Sequence, residues 1–226
     1  MPGRIAIDGP AGAGKSTVGE HLARRLGYLY CDTGAMYRAV AWLALHRGMD
    51  LNNGAALGEL AEKADIVISK PQIADGRQYT VTVHGRDITW DIRTSQVGRA
   101  VSTVAGHPEV RRVLIQQQRA IASKGQIVMV GRDIGSIVLP DAELKLYLTA
   151  SLYERARRRY AEMVERMGEH NPALPSFEEV MQDVEKRDQD DQANMRPAPD
   201  AIIVDTDHLN IEQVLDTICQ YVEEKV

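Results

Sequence analysis

The segment that most restricts how this chain can fold is its opening. The apolar run Arg4-Ile5-Ala6-Ile7-Asp8 leads directly into Gly9-Pro10-Ala11-Gly12-Ala13-Gly14-Lys15-Ser16-Thr17. That stretch satisfies G-x-x-x-x-G-K-[ST] at every fixed position, a pattern that needs a buried strand before it and a helix after it. Gly9, Gly12 and Gly14 let the backbone turn tightly and aim successive N–H groups inward. The helix starting near Lys15 adds the positive end of its dipole, so the loop, with Pro10, Ala11 and Ala13 completing it, is built to cradle a polyphosphate. Lys15 then reaches the β- and γ-phosphates as a point charge, the Ser16 hydroxyl is a ligand for Mg²⁺, and Thr17 extends the helix N-terminus. A Gly-rich turn with a chance Lys-Ser is the bland alternative, and the agreement of strand, glycines, Lys-Ser and helix disfavours it.

Composition sets the frame around that loop. The chain has 226 residues with 44% hydrophobic content, enough for one sizeable core carrying small inserts. Its formal charge of −5, from 27 Lys+Arg against 32 Asp+Glu, provides no global attraction to nucleic acid or an anionic membrane, so any anion site is local. The two cysteines, Cys31 and Cys219, are too few and too far apart for a disulfide scaffold or a zinc motif, which fits a reducing cytoplasm. Asp8 interrupts any apolar leader, and the longest apolar run, Ala39 to Leu45, is far shorter than a membrane span. A soluble, unprocessed, monomeric protein with small-molecule partners is expected.

Strands alternate with helical patterns, which favours a parallel sheet covered by helices. Strand one is Arg4 to Asp8, followed by a helix through Leu26 with Gly27 just past its end. A short strand at Tyr28 to Tyr30, a helix from about Ala35 to Arg47 and another from Gly54 to Lys63 come next. Ile66 to Ser69, Tyr79 to His84 and Arg86 to Thr89 then read as short strands separated by turn signals, a small antiparallel insert that shapes a second substrate's site. Pro108 suits the first position of a helix whose face is Val110, Val113, Leu114, Gln117 and Ile121, and which is expected to pack on the sheet. The apolar runs Ile127 to Val130 and Leu144 to Leu148 read as central strands. Ser151-Leu152-Tyr153-Glu154 and Ser176-Phe177-Glu178-Glu179 match capping boxes and predict a helical hairpin starting at 152 and 177. Ala201 to Val204 is the last strand, and Asn210 caps a final helix from Ile211 to Val222.

Further chemistry lies in arginines at strand ends and helix starts, where an α/β sheet opens its crevice. Arg38, in Asp32-Thr33-Gly34-Ala35-Met36-Tyr37-Arg38, can make a bidentate contact with an acceptor's phosphate, or else a surface ion pair. Arg132 and Asp133 follow the buried run Ile127 to Val130, where charged residues rarely serve packing, and they belong to a site or else form a structural pair that closes the strand. Arg111 and Arg112 near a helix start can serve an anion site or form a solvated face. Arg155, Arg158 and Arg159 share one helix face, which repels itself unless it meets anions or pairs with Glu154, Glu162 and Glu165. Arg187 and Asp191 lie in an ordinary charge run.

Assembled, these residues resemble the bacterial cytidylate kinases (CMP/dCMP kinases) of the P-loop nucleoside monophosphate kinase family. The likeness covers nearly the whole chain. It is carried by the Ile-Asp-Gly-Pro-Ala-Gly-Ala-Gly-Lys-Ser-Thr opening, Asp32 to Arg38, Ile92-Arg93-Thr94, Val130-Gly131-Arg132-Asp133-Ile134-Gly135 and Lys186-Arg187-Asp188. It implies an α/β fold: a three-layer parallel-sheet core (1–35, 98–150 and 200–226), a small antiparallel substrate-binding insert (about 36–97) and a helical lid (about 151–196) within one P-loop kinase domain.

The same resemblance implies transfer of the γ-phosphoryl group of ATP, with Mg²⁺, to CMP or dCMP. Lys15, Arg38, Arg132, Arg155 and Arg159 would be catalytic. Arg38 and Arg132 would hold the acceptor phosphate, Thr33, Arg111 and Asp133 would surround the cytosine, and Ser102, Arg187 and Asp191 would reach the sugar. The arginines of the 155–159 segment would belong to the lid over ATP. Relatives carry an Arg three residues past the position of Asp191, where this chain has Asn194, and Arg196 is the candidate replacement. The cytosine amine donates to a carboxylate such as Asp133, whereas a uracil oxygen would oppose it, worth roughly 1–3 kcal/mol. A shikimate-type kinase would share Lys15-Ser16 without needing the Thr33, Arg38 and Arg132-Asp133 set. A GTPase switch would want an Asn-Lys-x-Asp motif, which the chain lacks.

Overall fold

The apolar opening forms strand β1 (Arg4–Asp8), buried from Ile5 onward, and helix α1 (Lys15–Leu26) begins at the lysine of the Gly-rich loop. The computed structural model describes residues 1–191 and 195–224 of the chain. Strand β2 (Leu29–Asp32) runs two residues past the expected Tyr30. Helix α2 (Thr33–His46) starts before Ala35 because the Asp32 carboxylate accepts the Gly34 N–H at 3.0 Å and caps it.

Helix α3 (Gly54–Lys63) leads to strands β3 (Ile66–Ser69), β4 (Thr80–Val83) and β5 (Arg86–Asp87), the antiparallel insert, with Ile66 opposite Val83 and Thr82 opposite Asp87. Arg77 fastens the insert's long loop, its buried guanidinium bridging Asp75 at 2.7 Å and Asp87 at 2.6 Å. Helix α4 (Ser95–Gly106) was not anticipated. Only Val97, Ala100 and Val104 are buried on it, and the intervening Ser, Thr and Gly weaken its helical signal. Helix α5 (Pro108–Ala122) has Pro108 in its first turn, but its buried face is Val110, Val113, Leu114, Gln118 and Ala122. Its principal neighbour is α3 rather than the sheet, and the Gln117 side chain reaches across to donate to the Ala61 carbonyl at 3.1 Å. Gly58 permits that approach, since a Cβ there would lie 2.8 Å from Glu109 Cβ.

Strand β6 (Ile127–Val130) is buried throughout, and β7 (Leu144–Thr149), helices α6 (Leu152–Met167) and α7 (Phe177–Asp191), strand β8 (Ile202–Asp205) and helix α8 (Ile211–Glu223) complete the chain. The main sheet has five strands in the order β2-β6-β1-β7-β8, and the smaller has the order β3-β4-β5. β7 runs parallel to β1, with Ile5 beside Leu144 and Asp8 beside Tyr147, and parallel to β8. This is the mixed α/β architecture that the sequence predicts.

The residues group into two compact units. One joins Met1–Leu22 to everything from Val130 onward and so holds the Gly-rich loop, the α6–α7 hairpin and α8. Its core includes Ile5, Ile7, Leu144 and Ile218. The other, Ala23–Met129, holds the insert and α2 to α5 around Leu57, Ile88, Ile92 and Leu114. No helix among the described residues is long and apolar enough to cross a membrane.

Candidate active site

The loop between β1 and α1 takes the shape its glycines allow, with φ of 143°, 78° and 86° at Gly9, Gly12 and Gly14. Two of these glycines are also required by close packing. A Cβ on Gly9 would collide with the Leu148 carbonyl, and one on Gly12 would lie 3.0 Å from Arg155 Cβ. The loop is thus braced from behind by the end of β7 and the start of α6. Its other side opens on a cavity of about 680 Å³, lined by residues 11–18, by Arg157, Arg158 and Arg159 of α6, by Arg187 of α7, and by Thr206 and Leu209 to Ile211 beyond β8. Lys15 Nζ folds back across the loop to donate to the Pro10 carbonyl at 2.7 Å. N–H groups, a lysine and several guanidinium groups around one hollow form a donor set suited to a polyphosphate. Among the described residues no group of three or more His, Cys, Asp or Glu could hold a metal. The exposed Ser16 hydroxyl suits a cation that arrives with phosphate oxygens.

The arginines of α6 have distinct surroundings. Arg155 is buried and committed: Nε donates to the Ala150 carbonyl at 3.1 Å, Nη1 to the Ala11 carbonyl at 3.1 Å, and the two Nη atoms clasp Asp188 of α7 at 2.9 and 2.6 Å. Arg157 and Arg158 both bind Glu154, and Arg157 first, then Arg158, holds that carboxyl down to about 2. Arg158 also donates to Thr206 Oγ1 at 2.9 Å, and Arg159 pairs with Glu162 at 3.3 Å. The hairpin starts where expected, and Ser176 with Glu179 forms a complete capping box. At Ser151 the hydroxyl accepts the Glu154 N–H, but the Ser151 N–H is taken by Asp207 instead of Glu154, whose carboxylate the arginines hold.

Arg132 and Asp133 emerge at the end of β6. Arg132 Nη1 lies 3.3 Å from the Gly9 carbonyl, so this arginine sits at the mouth of the phosphate loop, and Asp133 is buried. The turn that follows, Ile134–Val138, is tied to β1 by Asp8, whose carboxylate accepts the N–H of Ile134 and of Gly135, each at 2.7 Å. Burial pushes Asp8 up to about 6 against the pull of those two N–H groups, with Asp133 adding to the rise and Lys15 opposing it.

The other unit carries Thr33, Arg38, Ser102 and Arg111. Thr33 is buried at the start of α2, and Arg38 lies one turn on, its Nη1 3.4 Å from the Ile92 carbonyl. Ser102 is exposed on α4 and Arg111 half-buried in the first turn of α5. Beside Arg38 the structure gathers two residues that were not singled out as site residues. Arg93 stands over the Tyr79 ring at 5.4 Å, and the Tyr79 hydroxyl is 3.5 Å from Asp32. Burial, and next the Asp32 charge, push the Tyr79 phenol up, while Arg93 and Arg38 pull it down. The signal for Arg93 was its position in Ile92-Arg93-Thr94; nothing local marked Tyr79. Arg187, expected near an acceptor sugar, is exposed and lines the cavity of the phosphate loop. Asp191 ends α7, Arg196 is exposed, and Asn194 and the Asp191 side chain lie outside the described residues.

A Gly-Lys-Ser loop between a buried parallel strand and a helix, opening on an arginine-lined cavity beside a helical hairpin, defines a P-loop kinase. In fold the chain is similar to a shikimate kinase from Bacteroides thetaiotaomicron, with a TM-score of 0.52 at 14% identity over 99% of each chain. Residues 5–224 match the cytidylate kinase family. A cytidylate kinase from Roseiflexus castenholzii is 53% identical over 215 residues, 95% of this chain and 90% of that one. One from Chloroflexus aggregans is 52% identical over 92% of this chain and 89% of its own, and one from Shouchella clausii 46% over 97% and 96%. The chain belongs to the cytidylate kinase family.

Proposed function

We propose that this protein transfers the γ-phosphoryl group of ATP to CMP or dCMP, giving ADP and CDP or dCDP, in the pyrimidine nucleotide metabolism of the cytoplasm. The observation that supports the reading is Arg132, whose Nη1 lies 3.3 Å from the Gly9 carbonyl and so stands beside the loop suited to a donor's phosphates. Family membership supports the choice of acceptor.

Each part then has a task. Residues Gly9 to Thr17 hold the donor phosphates, Lys15 neutralises the β- and γ-oxygens, and Ser16 is the protein's ligand to Mg²⁺, which offsets phosphate charge when bound. Arg38 and Arg132 hold the acceptor phosphate, and Arg159 approaches the donor from the lid. Arg155, occupied by Ala11 and Asp188, serves from behind the loop and keeps it in place. Thr33, Arg111 and Asp133 surround the base, and Ser102 and Asp191 reach the sugar, while Arg187 lines the cavity of the phosphate loop. No general base is required, because the attacking oxygen is already an ionised phosphate. The residues' work is to align two anions and suppress their repulsion. A coupled assay with ATP and a panel of nucleoside monophosphates tests the reading. ADP release should rise with CMP and dCMP above all others, and no rise with either would overturn it.

A further inference from the structure

Asp8 ends β1, the strand that runs into the phosphate loop, and is 4% exposed. Its two carboxylate oxygens are each used once, Oδ1 by the Ile134 N–H and Oδ2 by the Gly135 N–H, both at 2.7 Å. Those residues directly follow Arg132 and Asp133. The next residue along the strand, Gly9, offers its carbonyl to the Arg132 guanidinium. Two neighbours at the entrance of the loop therefore grip the Arg132–Gly135 turn at both ends. A buried carboxyl pushed up to about 6 is held ionised at neutral pH against its own desolvation, which is more than a packing residue needs and more often marks a functional position.

We propose that Asp8 is the positioning residue that registers the acceptor-binding pair Arg132 and Asp133 against the phosphate loop. This rests on the reading of the chain as a (d)CMP phosphotransferase. In-line transfer depends on the distance between acceptor and donor phosphates, and an error near 1 Å costs on the order of 100-fold in rate. Asp8 ties both sides of that distance to one strand end. Gly135 leaves it room to do so, because a Cβ there would lie 3.3 Å from Asp8 Oδ2 and equally close to the Lys145 side chain.

Asp8→Asn keeps one acceptor oxygen and turns an NH₂ group toward the second N–H, so the turn loses one of its two anchors. We expect kcat/KM for CMP to fall about 10- to 100-fold, while KM for ATP stays within about twofold. Gly135→Ala presses on the same hydrogen bond from the other side and carries the test if Asp8→Asn fails to fold. It should raise KM for CMP without raising KM for ATP. In the free Asp8→Asn protein the Ile134 and Gly135 amides should exchange faster while those of β1 and β7 stay protected. Equal loss of kcat/KM and of ATP affinity, an unchanged kcat/KM for CMP in Asp8→Asn, or unaltered exchange at Ile134 and Gly135 would each overturn the proposal. Wild-type turnover of CMP is read separately, and its absence would count against the functional reading instead.

Discussion

Breaking the clasp between Arg155 and Asp188 should show how strongly the hairpin and the phosphate loop depend on each other. In Asp188→Ala the Arg155 guanidinium keeps only the Ala150 and Ala11 carbonyls and loses both charge-assisted bonds, at 2.9 and 2.6 Å. Removing one partner of a buried pair costs about 3–5 kcal/mol. The Arg155 side chain is 7% exposed but Asp188 is 24% exposed, so water can enter the vacated space and the cost falls just below that range, to about 2–3 kcal/mol. For a chain of this size each kcal/mol moves the melting temperature by about 2–4 °C, which predicts a fall of about 5–10 °C. Because the same guanidinium holds the Ala11 carbonyl, KM for ATP should rise several-fold as well. Calorimetry on Asp188→Ala, and on the double variant Arg155→Met with Asp188→Leu, separates the terms. The double variant should recover to within about 1 kcal/mol of the native protein, since no charge is then left unpaired. A melting temperature lowered by less than about 2 °C in the single variant, or a double variant no more stable than Asp188→Ala, would refute a coupled clasp.

Lys15→Ala should lower transfer by about 10³-fold or more, the scale of losing a charge aimed at the reacting phosphate, with circular dichroism unchanged. Arg38→Ala should raise KM for CMP about 10- to 100-fold, the worth of a hydrogen-bonded charge, and leave ATP binding intact; equal loss of ATP affinity by titration would count against it. Asp133→Ala should narrow the ratio of kcat/KM for CMP over UMP by about 10- to 100-fold, and an unchanged ratio would remove Asp133 from base recognition. The raised Asp8 carboxyl also predicts a pH dependence of stability. The folded state holds a proton from about pH 6 down to the usual 3.8 of an unfolded aspartate, so this group's contribution rises as pH falls across that window, by up to about 3 kcal/mol. Urea unfolding at pH 4 and pH 7 should show the native protein gaining over Asp8→Asn on acidification, and a constant difference would refute the shift.

The parts of this site that could be read from sequence are those whose chemistry is local. Gly9 to Ser16 declare themselves because the turn, the N–H cradle and the helix start are consecutive, and Ser176 with Glu179 because a capping box closes within one turn. Ser151 looked the same but is completed by Asp207, 56 residues away, once Glu154 is occupied by Arg157 and Arg158. Helix α4 was hidden because a thin buried face on Ser- and Gly-rich sequence falls below any propensity signal. The α6 arginines show the limit most clearly. Spacing put Arg155, Arg158 and Arg159 on one face, but only tertiary structure sets the Asp188 carboxylate and the Ala11 carbonyl against Arg155, so one of three equivalent-looking cations becomes a buried clasp while Arg159 stays at the cavity. Asp8 is the same case from the opposite direction, since its partners Ile134 and Gly135 stand 126 and 127 positions along the chain. Residues that touch a ligand keep a motif because ligand geometry constrains their neighbours. Residues that hold the motifs in register answer to whatever the fold brings alongside, so a strand-end aspartate carries no local mark of the turn it holds.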